Sequence, residues 1–287
     1  MYDSIIIGKG PAGISSAIYI SRSNLKVLVI GKNETALNKA HVIENYYGFE
    51  KPITGEELFE KGIQQAKNQN IKVKNDEVID IIWDNDKFIV KTVNSEYESK
   101  TVLLATGKSR NSAKIEGIKE FEGRGVSYCA ICDGFFYRNK KIAVIGNGEY
   151  AIHEAKILKN VSEDVTIFTN GRELPQNRSI EITNFVEGKI DSIRGKEKAS
   201  KIVLNDNTEY EIDGIFVAEG TASSIDFAKK LGIFLENNNI KVDENMQTNI
   251  PGIYAAGDCT GGLLQISKAV YEGAKSGLSI AKKLKNI

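Results

Sequence analysis

Short apolar runs with the branched character of buried parallel strands recur along the chain: Ser4-Ile5-Ile6-Ile7, Val27-Leu28-Val29-Ile30, Val102-Leu103-Leu104, Lys141-Ile142-Ala143-Val144-Ile145 and Asp164-Val165-Thr166-Ile167-Phe168. Between the first two, Ile14 to Arg22 carries a helical pattern. A second such pattern runs on from Gly148 through Leu158. Strands alternating with helices predict an α/β fold. A last strand is expected before Ala255-Ala256-Gly257-Asp258, with Leu264-Gln265-Ile266 opening a final helix.

Glycines mark where strands hand over to helices. Gly8-Lys9-Gly10-Pro11-Ala12-Gly13 follows the first strand and fits G-x-G-x-x-G in the strand-turn-helix setting that a dinucleotide fingerprint requires. Gly8 allows the tight turn, Gly10 lets backbone approach a pyrophosphate, and Gly13 lets helix and strand pack closely. Free amides at the helix start then hold the phosphates. The second strand should end in an acid for an adenosine ribose, yet Gly31-Lys32-Asn33 follows and Glu34 comes late. Thr106 and Gly107 close another strand in a turn suited to flank a dinucleotide. Gly257 and Asp258 deliver a carboxylate where a sugar hydroxyl can donate to it. Gly146-Asn147-Gly148 after the fourth run is a second fingerprint-like turn.

At 287 residues the chain is long enough for two domains. Lys+Arg and Asp+Glu are both 38, so no global field recruits nucleic acid or an anionic membrane. The apolar run near the amino terminus is too short for a signal segment or membrane span, and the expected compartment is the cytoplasm. There a Cys-x-x-Cys stays reducible. Cys129-Ala130-Ile131-Cys132 is such a pair, and the only other cysteine is Cys259. Zinc normally takes four ligands, and no second Cys-x-x-Cys or His pair is present, so a metal is not expected and a catalytic dithiol is.

The fingerprint at Gly8 to Gly13, Glu44-Asn45, Ala105-Thr106-Gly107, the stretch from Gly123 to Phe136 and Ala255-Ala256-Gly257-Asp258 together resemble the low-molecular-weight thioredoxin reductases. The resemblance covers essentially the whole chain. It implies two Rossmann-like three-layer domains: an FAD domain, residues 1–112 and 243–287, split by a dithiol insert, residues 113–242. The crossings would be Asn111-Ser112-Ala113 and Asp243-Glu244-Asn245. It implies FAD bound through Gly8, Gly10, Pro11, Ala12, Gly13, Asn45, Thr106, Gly107, Gly257, Asp258, Gln265 and Ile266, and a homodimer. It further implies that Cys132 faces the flavin, that Cys129 attacks the disulfide of a thioredoxin-like protein, and that Asp133 moves the proton. Phe135-Phe136-Tyr137 are expected to pack the strand and hinge.

The departures matter as much. Relatives that use NADPH have small polar residues where Glu149 and Tyr150 stand, and a His-Arg-Arg run where this chain has Thr169-Asn170-Gly171. A 2′-phosphate needs cationic forks, and Arg172 is the only nearby cation. An intact dithiol and FAD site beside an eroded nicotinamide site resembles the ferredoxin-dependent flavin thioredoxin reductases, which implies reduced ferredoxin as electron donor. Lys282-Lys283-Lys285 or the Lys196-Lys198-Lys201 set could meet an acidic ferredoxin. An NADPH thioredoxin reductase, a diflavin disulfide oxidoreductase and a flavin-binding sensor stay open as alternatives.

Overall fold

The computed structural model describes residues 1–33, 35–108, 115–175 and 184–286. The late acid Glu34 and the first expected crossing, Asn111-Ser112-Ala113, lie outside them. The chain divides into two compact units, Met1–Ser109 with Ser223–Ile287, and Arg110–Ala222.

The first unit opens with β1 (Tyr2–Ile7), α1 (Pro11–Arg22), β2 (Val27–Gly31), α2 (Gly55–Asn68) and β3 (Lys72–Asn75), followed by β4 (Val78–Asp84), β5 (Lys87–Thr92) and β6 (Glu96–Leu104). β3, β2, β1 and β6 lie side by side in parallel. The antiparallel β4-β5 hairpin extends the sheet from the first half of β6. Alternation in β5, where Phe88 and Val90 are buried between half-exposed neighbours, is the period-2 pattern of a strand with one covered face. Helix α1 starts three residues before the apolar pattern does, because Pro11 is pre-set for a first helical position.

The second unit contains β7 (Val126–Ser127), α3 (Ala130–Asp133), β8 (Ile142–Ile145), α4 (Glu149–Lys159), β9 (Val165–Phe168), β10 (Phe185–Val186), β11 (Ile190–Gly195), β12 (Ala199–Leu204), β13 (Glu209–Glu211) and β14 (Gly214–Val217). Its parallel sheet has the order β10-β9-β8-β14-β7, and β11-β12-β13 form a separate antiparallel sheet. Ile145, Phe168 and Ile215 from the first sheet share a buried core with Ile193 and Ile202 from the second.

The chain then returns to the first unit through α5 (Ser224–Leu231), β15 (Leu235–Glu236), β16 (Asn239–Ile240), β17 (Ile253–Ala255) and α6 (Ile266–Lys285). β17 pairs in parallel with the second half of β6. Helix α6 packs on α1 at very short range: a Cβ at Gly273 would lie 2.2 Å from the Ala12 carbonyl oxygen. The return crossing thus comes about twenty residues before the expected 242/243 boundary. Two bonds to the first unit fix α5 there. Ser224 hydrogen-bonds Thr106 at the end of β6, and Lys230 lies 3.9 Å from Asp80 of β4 with both side chains buried. Asp243 lies well inside the first unit, its carboxylate accepting from the amides of Asn245 and Gln247, both at 2.8 Å. Both units have the expected Rossmann-like α/β arrangement.

Candidate functional site

In the first unit the ends of β1, β6 and β17 bring the fingerprint, Thr106 and Gly257 together. At Gly8, φ +112, a Cβ would lie 2.1 Å from the Ala105 carbonyl oxygen, and at Gly13 1.9 Å from that of Gly8. Both glycines are therefore demanded by close backbone approach. Gly10 differs: its φ of −75 suits any residue, and a Cβ there would meet nothing within 4 Å. It is the N-cap of α1, with no side-chain cap and no acid in the first turn, so the opening amides remain available to an anion. A cavity of about 740 Å³ opens here, its walls including Gly10, Pro11, Leu37, Tyr46, Phe59 and Ile266.

The remaining first-unit residues frame this end. Thr106 Oγ1 and Ser224 Oγ lie 2.7 Å apart, and the Ser224 amide donates to the same Thr106 oxygen at 2.8 Å. Gly107, φ +76, has open space where a Cβ would be. Gly257, φ +87, approaches Ala12, and Asp258 begins a single 3-10 turn. Burial raises the Asp258 carboxyl pKa, with Lys268 pulling it down and Glu272 adding to the rise. Asn45 Nδ2 donates to Gln265 Oε1 at 3.3 Å, joining two residues 220 positions apart. Gln265 is the N-cap of α6 and Ile266 its first residue. Lys9, buried at the fingerprint, donates to the Asn33 and Asn75 side chains. Cys259 is buried, and desolvation pushes its thiol up to about 12, which makes it inert.

The second glycine turn, between β8 and α4, is built alike and filled differently. At Gly148 a Cβ would lie 3.0 Å from the Gly220 carbonyl oxygen. Glu149 puts a carboxylate in the first turn of α4, and Tyr150 behind it is 1% exposed. At the end of β9, Thr169 is buried, and Asn170 has its side-chain oxygen accepting from the Ile190 amide at 2.9 Å while its nitrogen donates to Glu219 at 3.4 Å. Arg172 is exposed. The residues that replace a cationic run are thus engaged in turn structure, beside an acid.

Also in the second unit, Cys129 and Cys132 form a disulfide across the start of α3. Cys129 is buried at 4% exposure whereas Cys132 is exposed. Three polar groups hold this turn. Ser127 Oγ donates to Asp133 Oδ2 at 2.6 Å and accepts the Cys129 amide at 3.1 Å. The Ala130 amide donates at 3.0 Å to Glu154, a carboxylate of α4 that is 2% exposed. Burial, with Asp133 and Asp213 nearby, raises the Tyr137 phenol. Tyr137 packs edge-on against Phe216 as expected, but Phe135 and Phe136 are 65% and 69% exposed, meeting each other edge-on with Arg138 over the Phe135 ring instead of packing into the strand. With Ile131 they leave an apolar patch beside Cys132. Among the described residues no group of three or more His, Cys, Asp or Glu could hold a metal.

Comparison with known proteins sets these features in a family. The family model for pyridine nucleotide-disulphide oxidoreductases matches residues 2–273. The chain belongs to that family. It is 33% identical over 297 residues to the thioredoxin reductase of Bacillus subtilis strain 168, covering 98% of this chain and 94% of that protein. The atypical thioredoxin reductase TRi of Desulfovibrio vulgaris Hildenborough superposes with a TM-score of 0.93 at 37% identity, covering 100% of this chain and 99% of the other. A ferredoxin-flavin thioredoxin reductase from Clostridium acetobutylicum gives 0.77 at 35%, with 100% and 99% covered. The cofactor of this oxidoreductase family is FAD. The first unit fits it: Gly10 faces open space over the uncapped opening turn of α1, beside a cavity of about 740 Å³. Ser224, Lys268 and Glu272 escaped the sequence reading, as did Ser127 and Glu154. All five are ordinary helix or strand residues whose roles exist only once distant segments meet.

Proposed function

We propose that this protein reduces the disulfide of a thioredoxin-like protein through FAD and the Cys129/Cys132 dithiol, drawing electrons from reduced ferredoxin instead of NADPH. The observation that carries the choice of donor is the filled second glycine turn. Where a pyrophosphate would need backbone access, Gly148 faces the Gly220 carbonyl and Glu149 places an acid in the first turn of the helix, where it competes with a phosphate for the dipole. Where a 2′-phosphate would need forks, Asn170 is held by Ile190 and Glu219. The first unit has neither obstruction.

FAD would be held by the backbone amides from Ala12 onward, by Asp258 and by the start of α6, and when bound it supplies a centre that takes electrons singly and gives them in pairs. The Cys129–Cys132 disulfide accepts two electrons and two protons to become a dithiol. Cys129 as thiolate then attacks the substrate disulfide, forming a mixed disulfide and releasing one substrate thiolate. Cys132 attacks the Cys129 sulfur, restoring the internal disulfide and releasing the second thiolate. Asp133, held by Ser127, carries protons to and from these sulfurs. Because Cys129 is buried, its attack requires a movement that uncovers it. The exposed Ile131, Phe135 and Phe136 offer an apolar landing surface for the substrate. The drop is favourable: a thioredoxin couple near about −270 mV and a ferredoxin near about −400 mV differ by roughly 6 kcal/mol for two electrons.

Of the basic sets offered to ferredoxin, Lys201 is paired with Glu209 at 2.7 Å, while Lys282, Lys283 and Lys285 cap the last turn of α6, where cations favour the helix dipole. The α6 end is therefore the better docking surface. No helix among the described residues is long and apolar enough to cross a membrane. The reading includes a cytoplasmic location, where the dithiol stays reducible, and the homodimer that the family resemblance implies. Steady-state reduction of a thioredoxin-like substrate with photochemically reduced ferredoxin, run beside NADPH, tests the proposal. Turnover with ferredoxin alone is expected; equal turnover with NADPH overturns the choice of donor.

A further inference from the structure

A lysine in the first turn of a helix opposes the helix dipole, and Lys268 sits there in α6, which has no acid in its first turn. What holds it is a cage of oxygens. Lys268 Nζ donates to the Gly257 carbonyl at 2.8 Å, to Thr260 Oγ1 at 2.8 Å and to the Gly261 carbonyl at 2.6 Å, and pairs with Glu272 at 3.0 Å. Glu272 Oε2 in turn accepts from the Gly257 amide and from the Thr260 hydroxyl, each at 2.8 Å. Both side chains are only 14% exposed.

One ion pair of α6 thus grips Gly257 by its amide and its carbonyl and holds the next turn through Thr260 and Gly261. Asp258 lies inside the gripped segment, within the electrostatic reach of both Lys268 and Glu272. Gly257 is in a conformation, φ +87 and ψ −153, that only glycine adopts readily, so the turn needs external support to persist. A helix rule broken at a cofactor-facing turn, with every lysine proton accounted for, marks a residue kept for its position.

We infer that Lys268 and Glu272 are positioning residues for the cofactor: their ion pair locks the Gly257–Gly261 turn to the start of α6, so that Asp258 and the opening turn of α6 at Gln265 and Ile266 act as one rigid half of the FAD site. The inference rests on the FAD assignment and is independent of the electron donor and substrate.

The test uses the holoenzyme with Lys268→Met, the milder Lys268→Gln, Glu272→Gln and the Lys268→Met/Glu272→Gln pair, beside Ile63→Val in α2 as a control for lost stability. Two quantities are read: the rate of FAD release, followed by flavin fluorescence, and amide hydrogen exchange over residues 256–261, measured both with FAD and after its removal. Each single variant is expected to release FAD at least tenfold faster and to exchange at least tenfold faster in that segment even without FAD. The double variant should be little worse than either single one, because each breaks the same cage. Ile63→Val should lower the melting temperature and move neither readout. Faster release with unchanged exchange would overturn the inference, as would faster exchange with unchanged release, or variants that behave like Ile63→Val. If the parent protein holds no FAD, the cofactor assignment fails, and the exchange arm still reports whether the cage holds the turn.

Discussion

Adding one methyl group to each glycine fingerprint should have opposite consequences. At Gly10 the backbone is extended and the added Cβ meets nothing within 4 Å. Gly10→Ala therefore strains nothing and removes unfolded-state freedom, which stabilises by about 0.4–1 kcal/mol. At roughly 2–4 °C per kcal/mol, the FAD-free protein should melt about 1–4 °C higher. The same methyl stands where a pyrophosphate must approach, so FAD affinity should fall by about 10–100-fold, or roughly 1.4–2.8 kcal/mol. At Gly148 the Cβ would come within 3.0 Å of the Gly220 carbonyl oxygen, so one backbone segment must shift. Gly148→Ala should cost about 1–3 kcal/mol by overpacking and leave FAD affinity unchanged. Differential scanning calorimetry of the flavin-free proteins and fluorescence titration with FAD give the four numbers. If Gly10→Ala binds FAD as the parent does, the first turn is not the phosphate cradle. If Gly148→Ala is neutral for stability, the second turn is roomier than argued and the case against a nicotinamide there weakens.

Further outcomes follow from the dithiol and from Asp258. After reduction, a small alkylating agent should label exposed Cys132 at least tenfold faster than buried Cys129, as read by mass spectrometry; preferential labelling of Cys129 would contradict the observed burial. Cys129→Ser and Cys132→Ser should each abolish disulfide turnover while FAD stays bound, and retained turnover in either would remove the dithiol from the mechanism. Ser127→Ala should lower kcat about tenfold, roughly 1.4 kcal/mol, by releasing Asp133, and an unchanged kcat would show that Asp133 needs no such partner. Burial raises the Asp258 pKa above its ordinary 3.8, so the folded state carries a penalty that grows as pH rises from 3.8 to the raised value and stays constant above it. Asp258→Asn should then stabilise the FAD-free protein at neutral pH, with the gain fading as pH falls through that value and gone below about 4. A gain that persists in acid would sink the desolvation argument.

Much of this architecture was legible because it rests on short-range rules. A branched apolar run ending in glycine can do little but make a parallel strand and a tight turn, so β1, β2, β8, β9 and the two fingerprints stood out. The dithiol was legible from residue type alone. The return boundary was misjudged because Asp243-Glu244-Asn245 has the composition of a linker, while Ser223, which caps α5 through Asp226, looks like any loop serine until its helix is placed. The β4-β5 hairpin and the β11-β12-β13 sheet were missed since their alternation is diluted by lysines and glutamates on the open face. Phe135 and Phe136 were assigned to packing on hydrophobicity, which cannot tell a core position from an exposed binding patch. The Lys268–Glu272 cage and the Ser127 and Glu154 bonds to the dithiol turn depend on distant segments converging, and no spacing encodes them.

The central claim is that electrons reach this chain from ferredoxin because the second glycine turn no longer admits a nicotinamide nucleotide. Anaerobic stopped-flow mixing of the purified FAD protein, monitored at the flavin's visible absorbance, tests it most directly. Reduced ferredoxin should bleach the flavin within seconds at low salt, whereas NADPH and NADH at hundreds of micromolar should leave it oxidised over minutes. Rapid bleaching by micromolar NADPH, with none by ferredoxin, would contradict the account.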